Sequence, residues 1–228
     1  MIIYGKQLFL HVLRNYSTRL KMVYLSKKCD NKLFLAIAHA TNNKIVRVDN
    51  QKAQSLARGG NHQGFIAEIE PLKYSEFSIV KNGNFLVVLN ELTDVGNIGA
   101  IVRTAYAFGA DGLIVSGIKT LNLEAIIRTS SGAIFELPVV LYPNALDMAH
   151  ELRQIGFSLY GADMHGESIT KIKFDKKLAL VVGSEGEGIN KNLKIKLDKI
   201  ISIKMARVFD SLNVNAATAI ICNRIANG

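Results

Sequence analysis

Cysteine is scarce in this chain: Cys29 and Cys222 are the only two among 228 residues. Neither has a Cys or His neighbour at metal-ligand spacing, so both are expected to be free thiols, and a structural zinc site is excluded. Histidine is equally thin, with His11, His39, His62, His150 and His165 scattered singly. No paired-histidine cluster of the kind that holds a catalytic metal occurs, and metal catalysis is not expected. Long apolar runs are missing too. Phe85–Leu89 and Leu178–Val182 are five residues each, far short of the roughly 18 that a membrane span needs. Met1–Lys6 reads as no signal peptide, which makes the cytosol the expected compartment. Neither G-x-G-x-x-G nor a Gly-Lys-Ser/Thr phosphate loop is found, which weakens dinucleotide and P-loop readings. What is present is ordinary for a folded protein, since a hydrophobic fraction of 49% and a charged fraction of 21% argue against disorder.

Net charge is +9, and its position is more telling than its size. Residues 1–70 hold eleven Lys and Arg against four acids, whereas residues 71–228 hold seventeen against fifteen. Clusters such as Arg19-Leu20-Lys21 and Lys27-Lys28 suit phosphate neutralisation by counterion release, so RNA or DNA contact is expected from the N-terminal part. A solvated basic face is the other reading of the same charge.

Apolar periodicity divides the chain similarly. Helices over residues 5–15, 31–40 and 51–57 alternate with strands over 22–25, 45–48 and 65–69, giving a small α/β domain at 1–70. Residues 71–83 are more polar and include Asn82-Gly83, which marks them as a linker. From residue 84 to 228 strands and helices alternate. Strands are expected at 85–89, 113–115, 139–141, 158–160, 178–182 and 200–203, with helices near 97–108, 123–128, 144–155, 190–195 and 213–225. Continuous apolar strands between amphipathic helices imply a mainly parallel sheet covered on both faces, with ligands beyond the carboxyl ends of the strands.

Three of those strand ends carry candidate chemistry. After Leu89 comes Asn90-Glu91-Leu92-Thr93-Asp94-Val95-Gly96-Asn97-Ile98-Gly99, leading to Arg103. Asn97 is positioned to cap a helix whose N-terminal half presents an amide and a guanidinium together. On the residues alone, Arg103 reads as a surface salt-bridge group. After Val182 comes Gly183-Ser184-Glu185-Gly186-Glu187-Gly188, a loop whose backbone angles could leave N–H groups free for a ligand, or a tight strand-to-helix turn. Its two acids disfavour a nucleotide triphosphate and favour a cationic or mildly polar ligand. After Ile203 comes a segment ending in Ser211-Leu212-Asn213-Val214, where a helix N-cap is the ordinary explanation.

Together the three segments resemble the SpoU, or TrmH-type, class of SPOUT RNA methyltransferases. Asn97, Gly99 and Arg103 match its Asn-x-Gly-x-x-x-Arg pattern; Gly183, Glu185 and Gly188 match Gly-x-Glu-x-x-Gly; Ser211, Leu212, Asn213 and Val214 match Ser-Leu-Asn-Val. The N-terminal part is similar to the small RNA-binding domain of the ribosomal-RNA members, and Gly60-Asn61-His62-Gln63-Gly64 matches their His-Gln-Gly segment. The resemblance implies a catalytic domain with a deep C-terminal trefoil knot. Its loops would bind S-adenosylmethionine, with Gly183, Ile203, Met205 and Leu212 as cofactor contacts. It also implies a homodimer, with residues 97–108 and 213–225 as the candidate dimer surface. Arg103 would then position phosphate and ribose and stabilise a developing alkoxide, with Asn97, Glu185, Ser211 and Asn213 orienting Arg103 or the nucleotide.

Three positions depart from the pattern. Val95 stands where the class has proline, and Lys204 and Arg207 replace its proline and glycine. Lysine restores a backbone N–H and relaxes φ, and Arg207 would be strained if that site uses positive φ. An unusual loop is therefore expected at 203–208. The activity implied is 2′-O-ribose methylation of RNA, foremost a guanosine of large-subunit ribosomal RNA. Transfer RNA, a resistance-type ribosomal adenosine, or a non-catalytic assembly role are the alternatives.

Overall fold

The computed structural model describes residues 1–207 and 210–228. In chain order the first elements are β1 (Ile2–Tyr4), α1 (Lys6–Asn15), β2 (Leu20–Leu25), α2 (Asn31–Thr41), β3 (Ile45–Arg47), α3 (Asn50–Leu56), β4 (Phe65–Ile69) and α4 (Phe77–Val80). They are followed by β5 (Phe85–Asn90), α5 (Val95–Ala107), β6 (Gly112–Ser116), α6 (Leu123–Thr129), β7 (Val139–Tyr142), α7 (Ala145–Gln154), β8 (Ser158–Ser168), β9 (Leu178–Val182), α8 (Lys191–Lys194), β10 (Lys199–Ser202) and α9 (Val214–Asn227). Two compact units result: Met1–Lys73 with Leu123–Gly132, and Tyr74–Asn122 with Ala133–Gly228.

The first unit has a four-stranded sheet in the order β1-β4-β2-β3, antiparallel except for the β2–β3 pair. Its helices start on side-chain caps: Asp30 accepts from the Leu33 amide at 2.8 Å and Asp49 from that of Lys52 at 2.7 Å, satisfying donors a helix start leaves unpaired. Strand β1, three residues long, is not foreshadowed by any periodicity. Helix α6 follows the second unit's strands in sequence but belongs here. Its Glu124 accepts from the Ile2 amide and pairs with Arg58 and Arg128, and the Arg128 guanidinium lies 4.9 Å from the centre of the Tyr4 ring.

The second unit is a six-stranded sheet in the order β10-β8-β9-β5-β6-β7, with parallel pairing throughout the described strands. Strands β5, β6 and β9 are buried along their whole length, as their unbroken apolar sequences require. Leu86 and Val88 pack on Met148, Ala149 and Leu152 of α7, while alternate residues Val87 and Leu89 are buried on the opposite face. The chain fills β5, β6 and β7 toward one edge, then returns to build β8 and β9 on the other side of β5. A reversal of strand order therefore falls between β5 and β9, the place where open α/β sheets bind ligands.

The segment read as a linker is folded into this unit from Tyr74 onward. The Tyr74 hydroxyl donates to the Leu121 carbonyl at 3.0 Å, the Ser75 amide to that of Val139 at 2.8 Å, and Val80 is buried in the core. Strand β8 runs to Ser168 rather than stopping at Tyr160, because it pairs with β10 twice around an irregularity: Ile200 faces Gly161, but Ile201 faces Glu167. Gly166 permits this, since a Cβ there would overlap the backbone of Ile200 and Ile201. Both cysteines are free, and burial pushes the Cys222 thiol up to about 12.

Candidate functional site

Leu89 and Val182 are paired in register, so the loops that follow β5 and β9 leave the sheet side by side. Two hydrogen bonds join them. The buried Asn90 side chain accepts from the Asn190 amide at 3.0 Å, and Glu91 accepts from the Asn190 side chain at 3.1 Å. Glu91 adopts φ 56°, a left-handed conformation that costs a non-glycine residue about 1–3 kcal/mol. Asn90, Glu91 and Asn190 were not singled out from the sequence. Their only signal was a polar pair closing an apolar strand.

The loop after β9 is closed on itself. Ser184 and Gly188 exchange backbone hydrogen bonds of 3.1 and 3.0 Å, and Gly186 and Gly188 have positive φ. Gly183 is buried against this closure, and a Cβ there would overlap the Gly188 carbonyl and the Ile189 nitrogen. Free N–H groups of the kind expected here are present at the tip. Among the described residues, the amides of Glu185, Gly186 and Glu187 make no backbone hydrogen bond, whereas those of Ser184 and Gly188 are used internally.

Helix α5 does not start where the sequence suggested. Its N-cap is Asp94, whose carboxylate accepts from the Asn97 amide at 2.7 Å, so Asn97 lies inside the first turn. An Asn97 side chain released from capping is free to reach outward. It donates to Glu185 Oε1 at 3.1 Å. Asn213 does cap its helix: Oδ1 accepts from the Asn215 amide at 3.0 Å, which leaves Nδ2 to donate to Asn97 Oδ1 at 3.0 Å and to Glu185 Oε1 at 2.7 Å. Three residues from three separate strand ends form one closed network with a carboxylate at its centre.

The remaining expected residues do not join that network. Ile203 and Met205, following β10, are half-buried; Ser211 and Leu212 are exposed. Ser211 makes no side-chain hydrogen bond among the described residues. Arg103 is exposed on α5, six residues beyond Asn97. At about 100° per residue this puts its side chain roughly 120° around the helix from that of Asn97. The amide and guanidinium are therefore not presented on one side, and among the described residues Arg103 has no hydrogen bond or ion pair. Of the segment 203–208, position 208 lies outside the described residues; 203–207 form neither helix nor strand, and Arg207 is not among the residues with positive φ.

Residues 84–223 match the SpoU rRNA Methylase family, and residues 2–75 match the domain described as RNA 2′-O ribose methyltransferase substrate binding. The chain belongs to the SpoU family. It is thereby an RNA methyltransferase of the SpoU/TrmH type. Its relatives include an uncharacterized tRNA/rRNA methyltransferase of Borreliella burgdorferi, 30% identical over 89% of this chain and 95% of that one. The 23S rRNA (guanosine-2′-O-)-methyltransferase RlmB of Ralstonia nicotianae is 30% identical over 82% of this chain and 78% of its own. The likeness to solved structures spans nearly the whole chain. An AdoMet-bound rRNA methyltransferase of Sinorhizobium meliloti superimposes with a TM-score of 0.82, at 24% identity, over 98% of this chain and 85% of that one. AviRb of Streptomyces viridochromogenes, solved with AdoMet, does so at 0.79 and 23% identity, over 99% and 89%. No described helix in this SpoU chain is long and apolar enough to cross a membrane, and no group of three or more described His, Cys, Asp or Glu residues could hold a metal ion.

Proposed function

We propose that this SpoU protein transfers a methyl group from S-adenosylmethionine to a ribose 2′-hydroxyl of ribosomal RNA, at a guanosine of the large subunit. The observation that carries the reading is the network of Asn97, Glu185 and Asn213, which draws the ends of three strand-following segments together beyond the carboxyl ends of β5 and β9. The residues around it suit the donor. Glu185 and Glu187 provide negative charge for a cationic sulfonium, the loop tip has unengaged backbone donors, and Ile203, Met205 and Leu212 offer apolar surface. Gly183 keeps the loop closed. When bound there, S-adenosylmethionine supplies an electrophilic methyl group.

The chain's own residues have three tasks. Arg103, with no hydrogen bond or ion pair among the described residues, anchors the RNA phosphate or ribose and stabilises negative charge on the attacking oxygen. Asn97, Glu185 and Asn213 hold the cofactor loop against the starts of α5 and α9, with Ser211 beside them as a further orienting hydroxyl. Near-attack placement is the source of rate, and the 2′-hydroxyl proton passes to solvent as the oxygen takes the methyl group. The N-terminal domain, with its excess of Lys and Arg, holds the RNA. The relationship to RlmB supports a ribosomal guanosine as target.

A homodimer follows from the same reading. Helices α5 and α9 pack together and leave Tyr106 and Ile220 exposed, apolar groups that a second copy would cover. A knot is also part of it: β10 lies at the far edge of the sheet, yet the chain after it crosses back to place α9 against α5. The protein works in the cytoplasm, where ribosomal RNA is assembled.

Changing Glu185 tests the network. Glu185→Ala is expected to lower kcat roughly a hundredfold, the cost of about an ångström of misplacement. Glu185→Gln keeps an oxygen able to accept from both asparagines, so its kcat should stay within about threefold of the parent, while the lost charge weakens cofactor binding. Steady-state methyl transfer to ribosomal RNA distinguishes them. Equal activity of Glu185→Ala and the parent would remove the network from the mechanism.

A further inference from the structure

The loop between α3 and β4 is bent in an unusual way for its sequence. Arg58, Gly59, Gln63 and Gly64 all have positive φ, at 48°, 81°, 54° and 93°. Two of the four are not glycine, and left-handed conformations of that kind are held where the side chain has a use. The bends are locked. A Cβ at Gly60 would overlap the Tyr4 ring, and one at Gly64 would meet the Lys27 side chain at 2.8 Å. They border an open cavity of about 380 Å³, lined by Lys27, Asn50, Gln54, Gly59, Gly60, Asn61, His62 and Gln63. All of these residues belong to the first unit.

The lining is rich in donors and has no carboxylate. Gln63 Oε1 is already engaged by the Lys6 amide at 3.0 Å, so the group left to the cavity is its NH₂. His62 Nδ1 accepts from the Gly64 amide at 3.1 Å, which assigns the ring proton to Nε2 as a donor. The Lys27 carbonyl is fixed by the Arg47 guanidinium at 2.8 Å, holding the backbone from which its ammonium extends. The side chains of Asn50, Gln54 and Asn61 can both donate and accept. His62 is the one aromatic ring of the lining, so a base can stack on its imidazole as well as meet the amides.

Its size is at the low end of small-molecule sites, about 300–1,000 Å³, too small for a helix of nucleic acid and adequate for one nucleotide. Sequence-reading proteins take RNA as unpaired nucleotides, whose edges amides can address and whose phosphates a lysine can neutralise. We infer that this cavity receives a single unpaired nucleotide of the RNA substrate, its phosphate toward Lys27 and its base edge toward the amides. The inference rests on the RNA-methylating role proposed above and adds a second, non-catalytic anchoring point to it.

The test uses the full chain and two probes, a labelled pool of random single-stranded RNA 12-mers and the same length of RNA duplex, read by fluorescence anisotropy. Gln63→Gly relieves the left-handed strain while removing the donor, so it should fold at least as well as the parent by thermal melting. It should nonetheless bind the single strand about tenfold more weakly, a hydrogen bond to a charged or polar partner being worth that factor. Lys27→Ala should lose a similar factor, and Lys176→Ala, exposed in the second unit, no more than about twofold. Duplex affinity should change by less than about twofold in Gln63→Gly. Equal losses on both probes, unchanged single-strand affinity in both cavity variants, or no binding of the single strand by the parent would each overturn the inference. Titration with S-adenosylmethionine runs in parallel. Saturable heat in the variants keeps the methyltransferase reading intact whatever the cavity does, and no heat from the parent counts against that reading alone.

Discussion

Arg103→Ala is expected to reduce kcat for methyl transfer by roughly a thousandfold while leaving S-adenosylmethionine affinity within about twofold. The magnitude follows from removing a charged donor aimed at developing negative charge, which costs about 10²–10³ where a single preorganised group is lost. Selectivity for turnover follows from the structure. Arg103 is exposed, has no hydrogen bond or ion pair among the described residues, and is not joined to the Asn97, Glu185 and Asn213 network. Its loss should leave folding within about 0.5 kcal/mol, the usual range for such a surface change. Arg103→Lys keeps the charge but not the planar fork that grips phosphate on two oxygens, and is expected to recover only part of the activity. Single-turnover rates with calorimetric cofactor titration separate the two effects, and an alanine variant with parental turnover would remove Arg103 from the reaction.

The second large effect is expected at a residue with no side chain. In Gly183→Ala the added methyl collides with the Gly188 carbonyl and the Ile189 nitrogen. These are backbone atoms held by the paired Ser184 and Gly188 hydrogen bonds, so no rotamer change relieves the clash. Overpacking of this kind costs about 2–3 kcal/mol, a fall in Tm of roughly 5–10 °C for a chain of this size. Since the loop must open to accommodate it, S-adenosylmethionine affinity should fall at least a hundredfold, on the order of the same energy. Gly186→Ala is the matched comparison. Nothing lies within 4 Å of a Cβ there, and only the φ of 95° opposes it. That strain is worth about 1 kcal/mol, and cofactor affinity should remain within a few-fold. If the two variants bind cofactor alike, the closed loop is not what holds it.

The contrast between Gly183 and Gly186 shows what a sequence reveals and what it hides. Three glycines in six residues after a buried strand mark a special turn, but only coordinates show which one tolerates no Cβ. The buried strands β5, β6 and β9 were legible because a strand covered on both faces must be apolar throughout. The distal half of β8 was not, because Ala162–Ser168 is polar and glycine-containing and becomes strand only through β10. Asp94 and Asn97 are both side chains that cap helices, and three residues apart they compete on equal terms in a sequence. The structure awards the cap to Asp94, and Asn97 gains its place in the network as a result. Helix α6 has an apolar face that could serve either unit, and Glu124 with its partners on β1 and Arg58 settles the matter. Glu91 is the hardest case: nothing in its type forecasts a left-handed backbone.

The most direct measurement uses the purified chain with tritiated S-adenosylmethionine and ribosomal RNA from cells lacking this protein, followed by alkaline hydrolysis. A methyl group on a ribose 2′-oxygen blocks cleavage of the adjoining phosphodiester, so the label should survive in an alkali-resistant dinucleotide containing guanosine, and should vanish with Arg103→Ala. Label recovered on a base, or saturable cofactor binding with no transfer to any ribosomal RNA, would contradict the account.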